Sequence, residues 1–351
     1  MIYAKLPDAP GAKPHRLPFY LAMEEYLARN FLGEYFFMWQ VEPTVIVGRN
    51  QQMLSEVDVD FCRSRGIDIC RRKSGGGCVY ADRSNIMFSH ITTCSEVAST
   101  FTAFTERVAA MLRGLGIAEA HTTGRNDILI GDRKVSGYAF YHINLTDRLT
   151  HTTESRAIVH GTMLYDADLP TMTSALTPSG AKLEAKGVKS VRSRVTTVRE
   201  HSAVSLREFM DTARGELCRS TLELNAGDVE AIERIAEPYY DPAWVQGARH
   251  TGPRRCRRVE GVGEFEVALK STPDPVPCIG GIDIAGDFFL LGDIDRGLLS
   301  HLYGCELTRE ALMRRLGAIN IGKVIPNLRP EELADIILDA AGVAEPVQAG
   351  R

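Results

Sequence analysis

The sequence predicts an α/β (α+β) protein with mixed sheets, arranged as a larger N-terminal domain and a small C-terminal one. Strand-like and helix-like periodicities alternate along the chain, with no internal repeat. The chain has 351 residues, about two domains' worth at roughly 150 residues each. Between Glu237 and Arg258 the pattern breaks: Pro238, Pro242, Gly247, Gly252 and Pro253 lead into the basic run Arg254-Arg255-Cys256-Arg257-Arg258. The expected division is therefore 1–240 and 255–351, with a linker at 241–254.

Each element follows from local pattern. Phe19 to Leu32 reads as a helix, with Leu21, Tyr26, Leu27 and Phe31 on one face. Phe36-Phe37-Met38-Trp39 and Thr44-Val45-Ile46-Val47 read as strands, Val57 to Arg65 as a short helix closed by Gly66, and Ile67 to Arg72 as an alternating strand. Ser74-Gly75-Gly76-Gly77 interrupts before Cys78-Val79-Tyr80 extends again. Asn85 to Ile91 is a strand, and Val97 to Leu115 a helix stopped by Gly116. Gly131-Asp132 between apolar runs predicts a hairpin over Asp127 to Ser136. His142 to Arg156 is expected to be an exposed loop before a strand at His160 to Leu164. Helices follow near Leu169 to Leu176, Ser205 to Cys218 and Val229 to Ala236. The C-terminal part predicts strands at Glu264–Val267 and Asp287–Leu290. It ends in a helix from Pro330 to Ala341, with proline in its first turn and Gly342 past its end.

Composition narrows the function classes. Lys+Arg at 41 against Asp+Glu at 45 leaves a net charge of −4, so no nucleic-acid partner is expected and any anionic ligand must meet a local basic cluster. Hydrophobic residues at 44% and charged residues at 25% are those of a globular chain, not a disordered one. No apolar run is long enough for a membrane span and none resembles a secretory signal. The eight cysteines are scattered without a C-x-x-C pair, which disfavours zinc sites and disulfide frameworks. Free thiols in a reducing cytoplasm are the expectation.

Three stretches carry chemistry. Arg71-Arg72-Lys73-Ser74-Gly75-Gly76-Gly77 can bring successive backbone N–H groups onto an anion, with cations beside them. The same residues also read as a flexible turn with solvated charges. It is neither a Walker loop nor a dinucleotide fingerprint. Gly124-Arg125-Asn126-Asp127, then Lys134-Val135-Ser136-Gly137, set a lysine just past a tight turn, where sheet hydrogen bonding aims its ammonium; a plain surface lysine is the alternative. From Lys186 to Arg199 there are five cations and no acid. This is either a solvated loop or a lid that closes over an anionic intermediate.

Taken in this order, with His160-Gly161-Thr162 and Lys186-Gly187-Val188-Lys189-Ser190-Val191-Arg192-Ser193-Arg194-Val195, the motifs resemble the lipoate–protein ligase A family of the biotin/lipoate ligase superfamily. Gly286-Asp287-Phe288-Phe289 resembles the family's small C-terminal accessory domain. The resemblance implies a mixed-sheet catalytic domain that adenylates lipoate with ATP and transfers the lipoyl group to a lysine of lipoyl domains. The acceptors implied are 2-oxoacid dehydrogenase E2 subunits and glycine cleavage H protein. It implies that Arg72, Gly77, Cys78, Val79, Tyr80, Asn126, Asp127 and Lys134 hold the nucleotide, with Lys134 also catalytic and Asp127 helping to place a Mg²⁺ ion or the incoming amine. Ser74, Gly75, Gly76, Lys134, Ser136, Gly137 and His160 would hold the lipoyl group, and Lys186, Ser190 and Arg192 the adenylate. The chain departs from the family's commoner residues at Ala81, Tyr141 and Val159. Competing readings are an octanoyl or lipoyl transferase of the same superfold, which works through a cysteine thioester, and a non-catalytic lipoate-binding module.

Overall fold

A computed structural model describes residues 1–8, 14–93, 97–123, 126–146, 153–176, 194–247, 254–273, 275–292 and 294–342. The chain's own contacts divide it into two units. One comprises Met1–Val47, Met53–Lys73 and Cys78–Val245; the other comprises Gly48–Gln52, Ser74–Gly77 and Gln246–Arg351.

The first unit holds two mixed sheets. Numbered along the chain, its strands are β1 (Ile2–Lys5), β2 (Tyr35–Trp39), β3 (Thr44–Val47), β4 (Asp68–Arg71), β5 (Val79–Ala81), β6 (Asn85–Thr93), β7 (Ala120–Thr122), β8 (Asp127–Ile130), β9 (Arg133–Thr146), β10 (Thr153–Leu164) and β11 (Ser220–Glu223). The larger sheet runs β11-β1-β2-β6-β10-β9-β8-β7, and the smaller runs β4-β3-β5. β1 pairs in parallel with both neighbours and β3 with β4.

Helix α1 (Leu17–Asn30) opens with Pro18 in its first turn and buries Leu17, Phe19, Leu21, Leu27 and Ala28, among the apolar residues of one core. α2 (Met53–Glu56) is a short turn of helix before α3 (Val59–Arg65). At the start of α3 Asp58 accepts the Phe61 N–H at 2.8 Å, and Gly66, at φ +65, closes it. α4 (Val97–Gly114), α5 (Leu169–Ala175), α6 (Leu206–Leu217), α7 (Ala226–Ala236) and α8 (Pro242–Gln246) complete the unit. Ser205 caps α6, and Asn225 forms a capping box with Asp228 on α7.

In the second unit an antiparallel sheet of β12 (Arg254–Val259), β13 (Gly263–Ser271) and β14 (Ile279–Phe288) packs with α10 (Arg309–Gly317) and α11 (Pro330–Ala341); α9 (Ile294–Gly297) lies between sheet and helices in sequence. Gly342 ends α11 at φ +70, as its sequence predicts.

Several sequence expectations change. The exposed loop expected from His142 to Arg156 is corrected at its described residues: 142–146 extend β9 and 153–156 begin β10, with His142 opposite Ala157, while 147–152 lie outside the described residues. Arg156 is 1% exposed, and its guanidinium donates to the Phe31 and Gly33 carbonyls. Ladder hydrogen bonds come from the neighbouring strand whatever the side chains are, so a polar spelling hides the strand pairing. The strand expected at Asp287–Leu290 lies earlier, over Ile279–Phe288, because Gly280, Gly281 and Gly286 blur its alternation. Residues 237–246 form a 3₁₀ turn and α8, with Tyr239 only 2% exposed.

Candidate active site

The β8–β9 hairpin carries the clearest chemistry. Its turn is made by Gly131 at φ +60. Lys134 Nζ lies 2.7 Å from Asp127 Oδ1. Register sets Asp127 opposite Gly137, and an irregularity between Ile128 and Leu129 brings Lys134 opposite Leu129. A Cβ at Gly137 would lie 2.5 Å from both Cε and Nζ of Lys134, so the lysine keeps this position only while residue 137 is glycine. The backbone beneath is pinned as well, since the Lys134 carbonyl accepts the Thr196 N–H at 2.9 Å. Asn126 donates its amide to the Tyr138 carbonyl at 3.2 Å and accepts the Tyr138 N–H at 2.7 Å. Ser136 is buried, and burial pushes the Tyr138 phenol up from its ordinary range. The result is a partly exposed ammonium held at a fixed place, suited to neutralising charge that develops on a substrate.

Arg71, Arg72 and Lys73 follow the β3–β4 pairing. Arg72 donates its N–H to Val47 at 3.0 Å and its guanidinium to the Ile46 carbonyl at 3.2 Å. Arg71, 1% exposed, turns to the carbonyls of Trp244 and Val245, each 3.1 Å from Nε, and burial lowers its pKa. Lys73 pairs with Glu25. The three consecutive cations therefore do not act as one charged cluster: each is engaged by a different part of the protein, Arg71 by α8, Arg72 by the Ile46 carbonyl of β3 and Lys73 by Glu25 of α1. On β5, Val79 pairs with Ile46 and Tyr80 with Val45. The Tyr80 ring is in the core, so its main chain is what it can offer a ligand. Cys78 is half-buried.

The glycine run belongs to the second unit. Gly76, at φ +89, donates its N–H to the Phe288 carbonyl at 3.1 Å. A Cβ at Gly75 would lie 2.3 Å from that same carbonyl, and one at Gly77 3.1 Å from Asp287 Oδ2. Ser74 is fully buried and its carbonyl accepts the Arg49 N–H at 2.9 Å. The expectation of successive free amides is thus corrected at Gly76, whose N–H is engaged because the end of β14 brings a backbone acceptor against the loop.

His160, on β10, pairs through Nδ1 with Glu24 of α1, at 3.0 and 2.8 Å from its two oxygens. Ser89 on β6 donates to Glu24 Oε1 at 2.6 Å and accepts from the Trp39 indole at 2.9 Å. Glu24 and Ser89 are both 0% exposed. Sequence reasoning found His160 and missed its partners. The available signal was Glu24 itself, an acid three residues from both Leu21 and Leu27 on the apolar stripe of α1.

The structure therefore brings Asn126, Asp127, Lys134, Ser136 and Gly137 together on one hairpin. It places Arg72, Cys78, Val79 and Tyr80 on the β3-centred sheet and its flank, and His160 on the large sheet. Ser74, Gly75, Gly76 and Gly77 fall in the other unit. Gly124, Arg125, Lys186, Ser190 and Arg192 lie outside the described residues. Among the described residues no group of three metal-ligating side chains occurs, and no helix is long and apolar enough to cross a membrane.

Residues 17–217 match the family model of the lipoyl protein ligase A/B catalytic domain, and residues 254–337 that of the bacterial lipoate protein ligase C-terminus. Lipoate–protein ligase 1 of Staphylococcus aureus is 34% identical over 307 residues, covering 83% of this chain and 89% of the relative. Among solved structures, P. falciparum LipL1 in complex with lipoate matches with a TM-score of 0.74 at 18% identity, covering 96% of this chain and 99% of that one. Lipoate–protein ligase A bound with ATP matches with a TM-score of 0.55 at 23% identity, covering 70% and 98%. These two likenesses establish the fold. The catalytic-domain match spans more than half of the sequence and the relative in S. aureus exceeds 30% identity over most of it, so the chain belongs to the lipoate–protein ligase family.

Proposed function

We propose that the protein joins lipoate to AMP at the expense of ATP and then passes the lipoyl group to a lysine of lipoyl-domain acceptors, E2 subunits and glycine cleavage H protein. The observation that carries this is the Lys134–Asp127 pair at 2.7 Å with Gly137 clearing its path. In the first step a carboxylate oxygen of lipoate attacks the α-phosphorus, a C(O)–O–P link forms, and pyrophosphate leaves. In the second, the acceptor amine attacks the acyl carbon, an amide forms, and AMP leaves while the amine gives up its proton. Two anions must approach in the first step. The Lys134 ammonium lowers that barrier by standing between carboxylate and α-phosphate, and Asp127 keeps it aimed.

Arg72, Asn126 and the backbone of Gly77, Cys78, Val79 and Tyr80 hold the nucleotide in this reading, and Arg72's planar fork suits a phosphate. Ser74, Gly75, Gly76, Ser136, Gly137 and His160 hold the lipoyl group, with Glu24 fixing the His160 ring. Lys186, Ser190 and Arg192 contact the adenylate. A Mg²⁺ ion fits the donor set as a companion of the nucleotide, because it commonly takes one or two carboxylates, such as Asp127, with phosphate and water oxygens. It would neutralise phosphate charge. The seven described cysteines are free thiols, in keeping with a cytoplasmic protein. A cysteine-based transferase is disfavoured: burial pushes Cys70 up to about 12 and Cys218 up to about 11, the reverse of an activated thiol.

The test incubates the protein with lipoate, MgATP and a lipoyl domain and weighs the acceptor by mass spectrometry. A lipoyl mass gain that requires ATP is expected, and Lys134→Ala should slow adenylation by about 10²–10³ while the hairpin stays folded. A gain without ATP that is lost in Cys78→Ser would replace this reading with the transferase. Wild-type rates in a folded Lys134→Ala protein would remove Lys134 from the mechanism.

A further inference from the structure

The segment Glu237–Gln246 lies between the two matched family models, which cover 17–217 and 254–337, and neither gives it a role. Its side chains nevertheless converge on the strand end that bears Arg72. Trp244 donates its indole N–H to the Arg71 carbonyl at 3.0 Å. Arg71 in turn donates Nε to the Trp244 and Val245 carbonyls at 3.1 Å. The Arg71 carbonyl and the Arg72 N–H belong to one peptide group, so that group is held at both ends: by Trp244 on the oxygen and by Val47, at 3.0 Å, on the nitrogen. On the other side of Arg72, Lys73 stands over the Tyr239 ring, 4.8 Å from its centroid. Tyr239 also donates its hydroxyl to the Glu25 oxygen that pairs with Lys73. The two aromatic rings meet edge to face, their centroids 6.2 Å apart.

We propose that Trp244 and Tyr239 are positioning residues for Arg72: they clasp the residues before and after it and so set where its guanidinium meets the nucleotide. This rests on the reading that Arg72 binds ATP. A peptide plane fixed at both oxygen and nitrogen cannot rotate about the strand axis, and side chains on either side of Arg72 are anchored to elements remote in sequence. Removing the indole N–H leaves the oxygen only the weak donor of the Cys70 thiol, 3.7 Å away, and lets the plane tilt. The guanidinium, which also donates to the Ile46 carbonyl at 3.2 Å, then shifts with the backbone that carries it, which weakens nucleotide binding and leaves the lipoyl contacts alone.

Equilibrium binding of ATP and of lipoate to the full-length protein, by calorimetry, tests this with Trp244→Phe, Arg72→Ala and the double variant. Trp244→Phe should weaken ATP binding about five- to tenfold, the worth of one hydrogen bond, with lipoate affinity within about twofold. In the Arg72→Ala background the Trp244→Phe change should add nothing, since a residue that acts through Arg72 has no effect once Arg72 is gone. A merely structural Trp244 would weaken ATP equally in both backgrounds, or weaken both ligands together; either result overturns the clasp. Unchanged ATP affinity in Trp244→Phe, with Arg72→Ala impaired, also overturns it and leaves the nucleotide reading intact. Unchanged affinity in Arg72→Ala sinks that reading and the clasp with it. If Trp244→Phe does not fold, Tyr239→Phe, which keeps the ring and removes only the hydroxyl, runs through the same cycle with the same outcomes.

Discussion

A missing side chain at Gly137 decides where the Lys134 ammonium can sit. A methyl there would lie 2.5 Å from Nζ and Cε, but those atoms end a flexible side chain, and Gly137 is not among the positive-φ residues. Gly137→Ala should therefore cost the fold less than about 1 kcal/mol yet displace the lysine, lowering adenylation about 10²-fold. Lipoate-dependent pyrophosphate exchange beside a thermal melt reads both effects. Gly161, across the ladder, behaves oppositely. A Cβ there would meet the buried Tyr138 ring at 2.3 Å and the Gly137 carbonyl at 2.7 Å, neither of which can swing away. Gly161→Ala should lower stability by about 1–3 kcal/mol, seen as a fall in the urea midpoint.

At the scale of elements, β2 and β6 with the turn before them set a pH limit. Glu34 accepts from His90 at 3.0 Å and pairs with Arg107 at 3.0 Å. Chiefly through the His90 contact its carboxyl is held down to about 2, against an ordinary 4.5. Because the folded value is the lower one, Glu34 stabilises the fold above about pH 4.5, and that contribution is lost as the pH falls towards 2. Urea unfolding of the wild type and Glu34→Gln should differ most at pH 6, and the difference should shrink below about pH 4.5 and close towards pH 2. A constant difference across that range would show that ionisation of Glu34 does not matter. The elements themselves were legible where caps and periodicity agree, as in α3, α7 and α11. α1 was legible too, although its buried Glu24 and Glu25 were not read as such, whereas the start of β10 was not legible, because the buried Arg156 breaks the code. There the deciding partner comes from another element, so no local window contains it.

For the molecule as a whole, the glycine run groups with Gln246–Arg351 and not with the strand that precedes it. Gly75 abuts the Phe288 carbonyl, and Gly76 donates to it. Any side chain at Gly75 must push the loop off β14, because the obstructing atom is backbone. Gly75→Ala should therefore speed hydrogen exchange of the Gly76 amide by at least about tenfold, while amides of β9 and β10 stay protected. An unchanged Gly76 rate would mean that the loop does not depend on β14. The unit boundary lies within the motif itself, between Lys73 and Ser74.

The sequence by itself determined the α/β class, the order of the motifs and the hairpin that carries Lys134, because turn chemistry at Gly131-Asp132 and alternation on either side act over a few residues. It also singled out Arg72, Asp127 and His160 as functional candidates. Tertiary structure alone decided what those residues touch. His160 finds its carboxylate 136 residues away on α1, Arg71 its carbonyls 173 and 174 residues away on α8, and Gly76 its acceptor at the end of β14. Hydrogen bonds and ion pairs are short-range forces. Which distant groups come within 3 Å is set by how helices and sheets pack, and no spacing along the chain records it.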